Sequence, residues 1–132
     1  MRAGNTIVLG AGTTLGGGAP VFPDAIRAGN LLLLSGRAAV DPATGAPRGD
    51  SFVAQAQAVL DDVKAVLAEA GSSLDDVLRV ECWLTDPAHF GAWNEIFVER
   101  FSEPRPVRTT TISGLPLPGL LIELQITAAV SS

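Results

Sequence analysis

Apolar residues follow two rhythms along the chain, one of period two and one of about 3.6 residues, and the switches between them divide it into elements. Thr6-Ile7-Val8-Leu9 has the composition of a short strand. Ala25-Ile26-Arg27, a turn at Gly29-Asn30 and residues 31–36 make a hairpin, and the unbroken run Leu31-Leu32-Leu33-Leu34 predicts a strand buried on both faces. Across residues 77–85, Val80, Cys82 and Leu84 alternate with Arg79, Glu81 and Trp83. Residues 105–127 predict two further strands joined by a loop that Gly114, Pro116, Pro118 and Gly119 punctuate. In the second of these arms Leu120, Ile122, Leu124, Ile126 and Ala128 share one face, and Leu121, Glu123, Gln125, Thr127 and Ala129 the other. In the first, Arg108 and Thr110 share a face opposite Val107 and Thr109. One arginine and one carboxylate thus stand in a strand pair that is otherwise almost uncharged, a setting able to hold a cation and an acid at one site.

The helical rhythm occupies two stretches. Phe52, Ala56, Val59, Val63, Val66 and Ala70 form one apolar stripe, with Gln55, Gln57, Asp61, Asp62, Lys64 and Glu69 mostly elsewhere on the wheel. Asp50 or Ser51 can cap its start and Gly71 suits its end. Asp86 and Pro87 open the second helix, along which Phe90, Trp93, Asn94, Phe97 and Phe101 recur as an aromatic core stripe. Between elements, residues 10–18 read as a Gly- and Thr-rich loop. Gly16-Gly17-Gly18 lacks the Lys-Ser/Thr ending of a phosphate loop and is a flexible turn. Pro20 and Pro23 argue against regular structure over residues 19–24, and Asp41-Pro42-Ala43-Thr44-Gly45 is a turn. The predicted order is strand–strand–strand–helix–strand–helix–strand–strand, an α+β pattern of about six strands and two helices in a single domain, residues 1–132. Two helices cover only one face of such a sheet. The other would carry Arg79, Glu81, Trp83, Arg108, Thr110, Leu121, Glu123 and Gln125, a face too apolar to stay wet and too charged to lack partners; packing against copies of the chain resolves both.

Composition adds to this. Charged residues make up only 17 % of the 132, against about 25 % in ordinary soluble domains, which also favours an oligomer. The net charge of −5 excludes the basic footprint that nucleic-acid binding requires. Cys82 is the only cysteine, so no intrachain disulfide forms, as in a reducing compartment. No apolar run reaches the ~18 residues of a membrane span, and the N-terminus lacks the apolar core of a signal peptide; a cytoplasmic protein without a membrane partner is expected. One histidine, His89, in a helical first turn, and one cysteine make no metal set.

Arg105-Pro106-Val107-Arg108-Thr109-Thr110, a Leu-Pro loop and Leu121-Ile122-Glu123-Leu124-Gln125 resemble the end of the reactive intermediate deaminases, the RidA/YjgF family. The likeness extends upstream through Ala25-Ile26-Arg27-Ala28-Gly29-Asn30-Leu31, Ser35-Gly36, Asp41-Pro42-Ala43-Thr44-Gly45, Ala70-Gly71-Ser72-Ser73-Leu74-Asp75-Asp76-Val77 and Leu84-Thr85-Asp86. It covers all but about the first dozen residues, and its specificity lies in the order of the motifs. The resemblance implies a chorismate-mutase-like fold, a mixed sheet with two helices on one face, and a homotrimer whose sheets close a central barrel, with active sites in the clefts between subunits. It also implies cofactor-free, metal-free hydrolysis of small 2-imino and 2-enamino acids, such as 2-aminoacrylate, to a 2-keto acid and ammonia.

On the residues alone, an interface ion pair between Arg108 and Glu123 is the simpler reading. The resemblance turns this round, because the family's substrate-carboxylate arginine falls on Arg108, whose guanidinium forks onto a carboxylate. Glu123 falls where the family organises the attacking water, and burial would raise its pKa into a useful range while a nearby Arg108 would lower it. Ser35 and Asn94 match cleft-lining positions; Ser35 equally well caps its own strand, whereas Asn94, on an apolar stripe, reads first as a satisfied buried amide. Phe22 stands where many relatives carry a tyrosine, Thr110 where some carry a cysteine, and Gln125 where many carry a second glutamate. Trp83 and Trp93 can reshape the cleft, and Arg105, between two prolines, faces solvent. Two other classes remain: a non-catalytic 2-keto-acid sensor or holdase chaperone, and an endoribonuclease, against which the acidic charge weighs.

Overall fold

The computed structural model describes residues 4–14 and 19–131. Its elements are β1 (Thr6–Leu9), β2 (Thr13–Thr14), β3 (Pro20–Phe22), β4 (Ala25–Ala28), β5 (Leu31–Leu34), α1 (Phe52–Glu69), β6 (Val77–Leu84), α2 (Phe90–Arg100), β7 (Val107–Ile112) and β8 (Ile122–Ala129). Six strands form one sheet in the order β1-β4-β5-β8-β6-β7, and β2 and β3 form a separate two-stranded ribbon. Five strands therefore precede α1 where the sequence predicts three. The segment expected to be irregular contains β3, because Pro20 occupies its first position and β3 pairs on one side only. Gly16-Gly17-Gly18 lies outside the described residues.

The sheet is mixed. β6 and β7 run parallel, joined by the crossover through α2, and every other pairing is antiparallel. The two arms of residues 105–127 are consequently not neighbours, since β6 lies between β7 and β8. This corrects the expected strand pair, and with it the face of Arg108. β6 and β7 pair Val80 with Arg108 and Cys82 with Thr110, and residues in register share a face. Arg108 and Thr110 thus point to the helix-covered side with Val80 and Cys82. The open side carries Arg79, Glu81 and Trp83 of β6 with Glu123 and Gln125 of β8, which pair as Glu81–Gln125 and Trp83–Glu123.

The core lies between the helices and the covered face, where Ile122, Leu124, Ile126 and Ala128 of β8 are all buried with Val59, Val63 and Leu67 of α1 and Trp93 and Phe97 of α2. Alternate leucines of β5 divide accordingly. Leu32 and Leu34 are buried, whereas Leu31 and Leu33 are 46 % and 48 % exposed, so the run is buried on one face within a single chain. Ser51 caps α1 by accepting from the Ala54 amide at 3.1 Å. The helix ends in a Schellman pattern, with Ser72 N–H donating to Leu67 O at 2.8 Å and Gly71 N–H to Ala68 O at 3.1 Å, Gly71 having φ +79°. Asp86 accepts from the Ala88 amide at 2.8 Å and starts a single 3-10 turn that leads into α2. Of the aromatic stripe on α2, Trp93, Phe97 and Phe101 are buried; Phe90 is 44 % exposed and belongs to the edge of the site rather than the core. Gln55, assigned by the wheel to the wet side, is 2 % exposed.

Candidate active site

Two clusters of the expected residues form, on opposite sides of the sheet. The first surrounds Arg108. Its Nη2 donates to Asn94 Oδ1 at 2.7 Å, and its guanidinium carbon lies 4.9 Å from the centre of the Phe97 ring and 5.6 Å from that of Phe90. Asn94, Phe90 and Phe97 all come from α2, and their spacing turns one helical face toward β7. The arginine takes part in none of the ion pairs among the described residues. It is a half-buried cation held by an amide and two aromatic faces, with its remaining donors uncommitted. Thr110 Oγ1, on the same strand face, and Trp93 Nε1 are buried without a hydrogen-bond partner among the described residues. Cys82, on the same face, has its thiol pushed up to about 12 by burial, against the opposing pull of Arg108.

The second cluster surrounds Glu123 on the open face. Burial alone raises its carboxyl above the ordinary value. Arg108 of the same chain does not oppose this shift, being on the other side of the sheet. Gly36 faces the carboxylate closely: a Cβ there would lie 2.9 Å from Glu123 Oε2, so a larger residue would push the carboxylate aside. Ser35 N–H donates to Asp24 O at 3.1 Å and its hydroxyl to Pro23 O at 2.7 Å, which ties the end of β5 to the segment bearing Phe22. Gln125 Nε2 reaches Leu34 O at 3.5 Å. A shallow, mostly apolar cavity of about 210 Å³ runs beside this group, between Pro23, Ile26, Leu33, Ser35 and Gln125.

Within one chain, then, Gly36, next to Ser35, meets Glu123 on one face, with Phe22 on the segment that Ser35 ties down, and Asn94, Arg108 and Thr110 lie on the other face. Arg105 bonds the carbonyl of Phe101 at 2.9 Å and Glu103 at 3.1 Å, so it closes its own loop. Trp83 lies across from Glu123 on the open face, whereas Trp93 is core. His89 stacks on Phe52, with ring centres 4.5 Å apart. Gly36 and Phe90 are the residues sequence reasoning missed as site components. The Ser35-Gly36 motif held the signal for the first; nothing separated Phe90 from the core aromatics on its helix. Among the described residues no three His, Cys, Asp or Glu side chains group to hold a metal ion, and no helix is long and apolar enough to cross a membrane.

Solved structures share this fold. The family model described as Endoribonuclease L-PSP matches residues 18–130. A RutC family protein of Pyrococcus horikoshii is 38 % identical over 108 residues, which span 81 % of this chain and 85 % of that one. The mitochondrial protein mmf2 of Schizosaccharomyces pombe is 36 % identical over 82 % of this chain and 86 % of its own, so relatives are not confined to the cytoplasm. The crystal structure of RidA from the Antarctic bacterium Psychrobacter sp. superposes with a TM-score of 0.79 at 31 % identity, covering 93 % of this chain and 98 % of that one. The chain thus belongs to the L-PSP endoribonuclease family, the YjgF/RidA/RutC proteins.

Proposed function

We propose that the protein is a cofactor-free deaminase that hydrolyses small 2-imino and 2-enamino acids to the 2-keto acid and ammonia. The observation that carries this reading is the state of Arg108, a cation clamped by Asn94, Phe90 and Phe97 with no ion pair to a carboxylate among the described residues. Such a group is preorganised for a ligand carboxylate, and a 2-imino acid has one fixed charge to offer. The site is completed between copies of the chain, Arg108 and Thr110 coming from one and Ser35, Phe22 and Glu123 from the next, because a single sheet keeps the two groups on opposite faces.

In the reaction, Arg108 binds the carboxylate and fixes the imine carbon. Glu123 accepts a proton from water as the oxygen attacks that carbon, and the C=N electron pair moves to nitrogen, which takes up a proton to give a carbinolamine. Glu123 then passes its proton to the amino group. The carbinolamine collapses as Glu123 takes the hydroxyl proton: the C=O bond forms, the C–N bond breaks and ammonia leaves, and Glu123 then returns that proton to solvent, replacing the one nitrogen took up. An enamine enters the same route after protonation at carbon. Burial raises the pKa of Glu123, which moves it toward the range in which one carboxyl both accepts and donates a proton. With phenylalanine at position 22 and no tyrosine anywhere in the chain, no phenol takes part, so the proton traffic falls on Glu123 and water.

The test is steady-state ammonia release from imines generated in place by an amino-acid oxidase. Acceleration over the uncatalysed rate, lost in Arg108→Ala, is expected. The family description also raises RNA cleavage, which the net charge of −5 disfavours. Labelled single-stranded RNA is therefore expected to survive incubation with nuclease-free protein. Cleavage of that RNA together with absent imine hydrolysis would reverse the reading.

A further inference from the structure

Asp24 joins three parts of the chain. Its Oδ1 accepts from Arg37 Nη2 at 2.6 Å, in an ion pair that is largely buried on both sides. Its Oδ2 accepts from the Gly12 amide at 3.3 Å. The loop around Gly12 is built to receive this carboxylate. Gly10 and Gly12 both have φ +85°, and a Cβ at Gly10 would lie 2.2 Å from Asp24 Oδ2. Arg37 in turn belongs to the main sheet, where its amide donates to Leu124 O at 2.7 Å and its carbonyl accepts from Leu124 N–H at 2.9 Å. Leu124 is the neighbour of Glu123 on β8. The ribbon of β2 and β3, which pairs Thr13 with Phe22, is a separate sheet. It is therefore fixed to the main sheet through the root formed by residues 23–24 and 35–37 rather than by a shared ladder.

We propose that the Asp24–Arg37 ion pair is a latch that sets the position of the β2–β3 ribbon, and with it Phe22, relative to Ser35, Gly36 and Glu123. Both residues are positioning residues: they act through the ribbon and the Leu124 pairing and touch no reacting atom. Asp24 gathers the loop at Gly12 and the ribbon root, and Arg37 anchors that bundle to the strand that carries the acid. A partly buried pair of this kind constrains geometry even where it adds little net stability, because each charge left alone is poorly solvated. The catalytic consequence rests on the deaminase reading; the mechanical one does not.

The experiment uses Asp24→Asn, Arg37→Gln, Arg37→Lys and the double variant Asp24→Asn/Arg37→Gln in the full chain. Amide hydrogen exchange is followed at Thr13 and Phe22 in the ribbon and at Leu124 in the main sheet. Arg37→Gln makes no direct contact with the ribbon. It is nonetheless expected to speed exchange at Thr13 and Phe22 about tenfold or more while Leu124 keeps its protection. Arg37→Lys should restore most of that protection, and the double variant should exchange no faster than the faster single one, as for a coupled pair. In the oxidase-coupled assay Arg37→Gln should lower kcat/KM by roughly 10- to 100-fold, mainly through KM. Exchange in Arg37→Gln that is unchanged, or faster throughout the sheet, overturns the latch. A ribbon that loosens with kcat/KM intact overturns its positioning role. A parent protein with no imine hydrolysis refutes the deaminase reading, while the exchange data still decide the latch.

Discussion

Arg108 and Glu123 differ in what surrounds them, and their variants should differ in kind. Arg108→Ala removes a charge-assisted donor pair worth roughly 1.5–3 kcal/mol, about ten- to a hundredfold in affinity, and frees the substrate to rotate. Calorimetry with 2-ketobutyrate should find binding lost and the coupled assay should find a still larger loss of rate. Glu123→Gln keeps shape and hydrogen bonding, so it should still bind the keto acid yet fail to turn over. The parent's kcat/KM should show an acid limb at a pH above that of an ordinary carboxylate, since burial raises the pKa of Glu123, and the limb should vanish in Glu123→Gln. Stability follows the same shift with a definite sign. A carboxyl whose folded pKa lies above its unfolded one costs stability as pH rises through the folded value. Glu123→Gln should therefore melt higher than the parent near neutrality, with the difference disappearing in acid. Equal melting points at all pH values would contradict the desolvation of Glu123.

At the scale of elements, one buried side chain holds the approach to the acid. Gln55 of α1 donates to Gly49 O at 3.2 Å and Gly119 O at 2.9 Å, and accepts from Leu121 N–H at 2.8 Å. Each polar atom of the amide is thereby satisfied in the core, which explains why a glutamine tolerates full burial. The clamp fixes the loop between β7 and β8 one residue before β8 begins, two before Glu123. Gln55→Leu matches the bulk but leaves the Leu121 N–H without its partner, at about 1–3 kcal/mol. Urea unfolding should show the midpoint falling with the slope unchanged. Turnover should fall as well, through the displaced start of β8. A variant as stable as the parent would mean that the loop finds another acceptor. The β7 arm obeys a different constraint. The α2 crossover forces it parallel to β6, and that pairing, not the Gly/Pro loop, sets which way Arg108 points.

For the whole molecule, the open face of the sheet is the deciding feature. Leu31, Leu33, Leu78 and Val107 are exposed in the single chain, on or beside strands whose other face is core. Exposure of this kind normally marks an interface. Sedimentation equilibrium at micromolar concentration should report three chains, as the family likeness implies. Mixing then tests where the site lies. Arg108→Ala and Glu123→Gln, each inactive alone, should regain part of the activity when co-expressed, because a mixed trimer joins an intact Arg108 of one copy to an intact Glu123 of the next. No recovery in verified mixed trimers would return both residues to one chain and overturn the shared cleft.

The sequence by itself determined the two helices with their caps, the hairpin of β4 and β5 and the alternation of β6 and β8, since period, turn chemistry and capping are local properties written in neighbouring positions. Ser51, Gly71 and Asp86 act where they stand. Tertiary structure decided what depends on distant pairing. The insertion of β6 between β7 and β8 put Arg108 and Glu123 on opposite faces. One-sided helix cover divided the leucine run, the reach of Gln55 across 64 residues to Gly119 drew an amide into the core, and the pairing of Asp24 with Arg37 fixed the ribbon. None of these leaves a periodic trace, because a strand's alternation states which side chains share a face but not which face, or which neighbour, the fold will give them.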